Sequence, residues 1–112
     1  MRNKLPLAAD RKITVTYRVE PGCLGPKGPT HIDGFCRFAQ NEVASIDSDY
    51  VNWNIVPRFD KSIPEMQYSV VGKRINHHQA NKYLKVLDKS LDDCEEHLID
   101  KMTVLIDQFF ER

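Results

Sequence analysis

Apolar and polar residues alternate along residues 12–20, KITVTYRVE. Ile13, Val15, Tyr17 and Val19 share one side, and Thr14, Thr16, Arg18 and Glu20 the other. A period of two rich in β-branched residues predicts a half-buried strand, closed by Pro21 and Gly22. Beyond a Gly/Pro loop at 23–29 the period lengthens. Ile32, Phe35, Cys36, Ala39, Val43 and Ile46 recur at spacings of three and four, one stripe of a helix running to about Ile46. Thr30 is its expected N-cap, with Asp33 three residues on as a variant capping box, and Gly34 weakens its first turn slightly. The run DSD at 47–49 makes the exit turn.

Alternation returns at 50–58, where Val51, Trp53 and Ile55 oppose Asn52 and Asn54, until Pro57. Residues 65–71 predict a third strand with Met66, Tyr68 and Val70 on one side, and Gly72–Lys73 a tight turn into a very short fourth at 74–75. Asn76 with Gln79, and Ser90 with Asp93, then repeat the helix-start pattern. Ala80, Tyr83, Leu84 and Leu87 stripe the first of these helices. Leu91, Cys94, Leu98, Met102, Leu105 and Phe109 stripe the second at an average of 3.6, the period of a straight helix on a core.

The order β-α-β-β-(β)-α-α predicts an α+β fold, a small, mostly antiparallel sheet of three to four strands packed on helices in two layers. A helix separates the first two strands, so they are expected to run parallel. Short connections predict an antiparallel meander from the second strand onward. Residues 1–11 are expected to be a flexible tail and 12–112 a single domain. The 112 residues suffice for a core without staples, burying roughly 65% of the unfolded surface.

Sixteen Lys and Arg balance sixteen Asp and Glu. A net charge of zero lacks the footprint of a nucleic-acid binder. The one basic grouping, Lys73, Arg74, His77, His78 and Lys82, is short, so nucleic acid is an unfavoured partner. Zero charge also does little to keep copies apart. No apolar run reaches the ~20 residues that span a bilayer, and no export signal is read at the start. The expected compartment is the cytoplasm, with Cys23, Cys36 and Cys94 as thiols.

Candidate chemistry centres on CLGPKGPTHIDGFC, residues 23–36. His31 and Cys36 differ by five helical positions and point to different faces, so no metal ligand is assigned and no cofactor is expected. Gly22, Gly25 and Gly28 precede a helix N-terminus that suits an anion. Yet Pro26 and Pro29 remove two amides, and neither Gly-Lys-Ser/Thr nor Gly-x-Gly-x-x-Gly occurs. The segment therefore reads first as a turn into a helix. Arg18, Cys23, Lys27 and His31 are the candidate residues if the loop at 22–31 and the polar sheet face bind a small anionic ligand or serve a metal-independent enzyme. His77 and His78 need a partner from elsewhere to ligate anything. The leading expectation is a non-catalytic binding protein acting as a homodimer. Three apolar helix stripes exceed what one small sheet face covers, which places Leu105, Phe109 and Phe110, or a sheet edge, at the expected interface.

Overall fold

The computed structural model of the chain describes residues 5–110. Among them, the elements are strand β1 (Ile13–Val19), helix α1 (Gly28–Val43), strands β2 (Val51–Pro57), β3 (Met66–Val70) and β4 (Lys73–Ile75), and helices α2 (His77–Val86) and α3 (Leu91–Phe109). The fold is the expected α+β arrangement, a mixed, mostly antiparallel sheet packed on helices.

The alternation in β1 decides the layering. Ile13, Val15, Val19, Val51, Trp53, Ile55 and Tyr68 are buried with the stripes of α1 and α3 in one core. Their neighbours Thr14, Thr16, Arg18, Asn52, Gln67 and Ser69 stay half-exposed and Asn54 exposed on the opposite face, where Asn52 also donates to Ala9 O of the short 3-10 helix Ala9–Arg11. β1 and β2 are parallel, with Ile13 beside Val51 and Val19 beside Pro57.

The expected meander does not form. The strand order is β2-β1-β3-β4, so β3 pairs with β1 and β1 is central. The connection between β2 and β3 explains why. The Arg58 amide donates to Val19 O and the Arg18 amide to Glu65 O, so the loop bends around the end of β1 and returns on its far side. Both outer strands are guarded against pairing with another chain. On β2, the Gln40 amide of α1 donates to Trp53 O and accepts from Ile55 N, 2.8 Å each. On β4, only three residues are present, and two are Lys73 and Arg74.

Two boundaries move for steric reasons. α1 starts at Gly28, and Thr30 lies inside it, its amide bonded to Lys27 O. Pro29 presets the first turn. Gly28 sits so close to the Pro21–Leu24 turn that a Cβ would lie 1.7 Å from Pro21 O. The β3–β4 turn is Val71–Gly72 rather than Gly72–Lys73, with φ of 52° and 77°, the paired positive angles of a two-residue type I′ hairpin. α2 opens with a complete capping box between Asn76 and Gln79, and Ser90 caps α3 by accepting from Asp93 N.

Of the expected tail, residues 1–4 lie outside the described residues. Leu5 and Leu7 pack against the core, and Leu7 N donates to Asp49 O. Part of the surplus apolar surface on α3 is taken up within the chain, while Ile99 and Val104 stay exposed. Phe109 meets Phe35 edge-on at 5.5 Å and Phe38 at 5.6 Å, and Phe110 meets His31 at 5.4 Å, so α3 packs against α1.

Candidate functional site

Four amides of the loop at 22–31 are used in its own turns. Those of Cys23, Gly25, Gly28 and Thr30 donate to Glu20, Gly22, Gly25 and Lys27 carbonyls. Pro26 and Pro29 lack donors, so six of the ten positions have no amide to offer or have it engaged. The four candidate residues are engaged separately. The Arg18 guanidinium donates to Pro64 O (2.7 Å) and Gln67 Oε1 (2.8 Å) on the open sheet face. His31 is half-buried against Phe109 and Phe110, and Cys23 and Lys27 are exposed on the turn. Cys36 is buried in the core, and burial first, then Asp33, pushes its thiol up to about 11. Cys94 is fully buried, and burial again leads in raising it to about 12. Such thiols are inert packing groups. Of the expected interface residues, Leu105 is fully buried inside the chain, and Phe109 and Phe110 are half-buried in the ring cluster.

Two features stand out instead. The first is the loop from 58 to 65. Arg58 donates to Glu20 Oε1 (3.0 Å), Ile63 O (3.1 Å) and Lys61 O (3.1 Å), while Arg18 holds Pro64 O. Asp60 accepts from Ser62 Oγ at 2.7 Å and Ser62 N at 2.9 Å, and these bonds lower its carboxyl below the usual value. Two arginines and an Asx-type turn thus fix a loop of eight residues. Within it Phe59 is 73% exposed and Ile63 37%. Arg18 is on the polar side of β1, so its bond to Pro64 O ties the loop to the end of that strand.

The second is a polar cluster where the β3–β4 hairpin meets the starts of α2 and α3. The Tyr68 hydroxyl donates to Glu95 Oε2 at 2.6 Å, and Glu95 Oε1 lies 3.7 Å from His77 Nε2. Burial, then Glu95, raises the Tyr68 phenol. Asp92 joins them, and the ligand atoms of His77, Asp92 and Glu95 all lie within 4.8 Å of one another. A crevice of about 460 Å³ adjoins, lined in part by Gln67, Tyr68, Arg74 and His77. Spacing along the chain did not reveal this convergence, because it depends on how α2 and α3 are set against β3.

Two further crevices are less promising. The one between α1 and β2, about 560 Å³, includes Gln40, whose amide is already spent on β2. The other, about 490 Å³, holds His97, whose Nδ1 is 2.9 Å from Asp47 Oδ2 on the surface. No described helix is long and apolar enough to cross a membrane. Compared with protein-family models, curated proteins and solved structures, the chain matches none. The class it can be given is therefore that of its fold, a two-layer α+β domain with one sheet face left open.

Proposed function

We propose that the protein is a non-catalytic binding module that pairs with a second copy of itself across the open sheet face, with Phe59 as the anchor. The observation that carries this reading is a phenylalanine 73% exposed on a loop held by Arg18 and Arg58. Burying such a ring is worth about 1.5–3 kcal/mol. Because the loop is already ordered, little of that is spent on fixing it at binding. Aromatic anchors set among polar contacts are the usual anatomy of an interface. The face also suits its own kind. Thr14, Thr16, Asn52, Asn54, Gln67 and Ser69 carry hydroxyls and amides that both donate and accept, and the chain's zero net charge adds no repulsion.

The three free cysteines support a reducing, cytoplasmic setting. Light scattering on the wild type and Phe59→Ser tests the assembly. The wild type is expected to gain mass with concentration toward twice the 13.0 kDa of the chain, and the variant to stay monomeric with unchanged thermal stability. Equal self-association in both proteins removes Phe59 from the interface.

A further inference from the structure

We propose that His77, Asp92 and Glu95 form a binding site for a divalent first-row transition-metal ion, independent of the pairing surface. His77 is the first residue of α2, and Asp92 and Glu95 lie three apart at the start of α3, on one helix face. One imidazole and two carboxylates, with no thiolate, form a donor set suited to Mn²⁺, Fe²⁺, Co²⁺, Ni²⁺ or Zn²⁺.

The geometry is close to what coordination needs. Donors at about 2.0–2.1 Å around a tetrahedral ion sit roughly 3.4 Å from one another. The three ligand atoms here are within 4.8 Å, and the His77–Glu95 pair is already at 3.7 Å. His77 and Asp92 are exposed, so their side chains are free to close the remainder. Glu95 is the fixed member. Tyr68 takes its Oε2 at 2.6 Å and leaves Oε1 on the His77 side, the kind of outer hydrogen bond that orients metal-binding carboxylates.

Electrostatics permits a cation. Two helix N-termini face the cluster, each equivalent to about +0.5 charge. Two carboxylates outweigh that sum, so the site stays negative before the imidazole is counted. The adjoining crevice, with Gln67 and Arg74 in its wall, leaves room for water or an anionic ligand in the open coordination positions. The competing account is a plain His77–Glu95 ion pair linking α2 to α3. That account gives Asp92 no part and requires no ion.

Isothermal titration of chelator-treated protein with Zn²⁺ and with Mn²⁺ separates the two. The wild type is expected to bind one equivalent of at least one of these ions. Asp92→Asn, an exposed position that leaves the Tyr68–Glu95 bond intact, is expected to weaken binding by at least the roughly 10–100-fold that loss of an outer-shell partner costs, and His77→Gln and Glu95→Gln to do the same. Cys23→Ser and His78→Gln are expected to bind like the wild type. Failure of the wild type to bind either ion overturns the proposal, as does undiminished binding by Asp92→Asn or loss of binding in Cys23→Ser. None of these results depends on whether the chain pairs with itself.

Discussion

Replacing Gly28 with alanine tests the packing that starts α1. An ideal Cβ at Gly28 would stand 1.7 Å from Pro21 O and 2.6 Å from Pro21 C, both backbone atoms. Ordinary contact needs roughly twice the shorter distance, so the Pro21–Leu24 turn or the helix start must move by more than 1 Å. That turn carries Leu24, which is 5% exposed, and burial of a leucine is worth about 1.5–3 kcal/mol. The Gly28 N to Gly25 O bond at 2.9 Å adds about 1 kcal/mol. Losing much of both gives a destabilisation of about 2–4 kcal/mol, a large part of the ~5–15 kcal/mol total of a domain. At roughly 4–8 °C per kcal/mol, Gly28→Ala is expected to lower Tm by about 8–32 °C in a circular dichroism melt. A Tm within a few degrees of wild type would refute the close approach and with it the placement of the loop.

Gly34→Ala is expected to have the opposite sign. Its Cβ would make an ordinary 3.6 Å contact with Phe109 Cζ, and alanine gains about 1 kcal/mol of helix propensity, so Tm should rise by a few degrees. Val71→Asn should also stabilise, by about 1 kcal/mol in urea titration. Val71 is 67% exposed at φ 52°, so it loses little burial, while asparagine suits the first centre of a type I′ turn. His97 adds a pH dependence. Its hydrogen bond to Asp47 and the Asp47 charge raise its pKa. The stability it adds is therefore fully present below about pH 6.5, its unfolded value, and is lost as pH rises through the higher folded value. The Tm gap between wild type and His97→Gln should be widest near pH 6 and shrink by pH 8.

What the sequence revealed and what it hid divide along physical lines. The buried side of β1, the Asn76–Gln79 box and the α3 stripe follow local rules of period and capping, and the structure has them at those residues. The pairing of β3 with β1 depends on Arg18 and Arg58 folding the loop back, a contact between distant segments. The Thr30 cap lost to Gly28 because a backbone contact with Pro21, invisible in the pattern, decided where the helix begins. The turn was misplaced by one residue because a β-branched residue with positive φ runs against turn preference. The candidate site was least legible. Arg18, a candidate for an anionic ligand, also holds Pro64 O and Gln67 Oε1, and the exposure of Phe59 depends on how that loop is folded. His77 was noted without a partner, and Asp92 and Glu95 reach it only through the packing of two helix starts.

The pairing surface is tested most directly by an NMR dilution series of amide resonances from millimolar to micromolar protein. Shifts that move with concentration are expected for Thr14, Thr16, Asn54, Phe59 and Gln67, with α3 unaffected. Resonances that do not move anywhere, or movement confined to Ile99 and Val104 on the exposed side of α3, would contradict an open sheet face that meets its own copy.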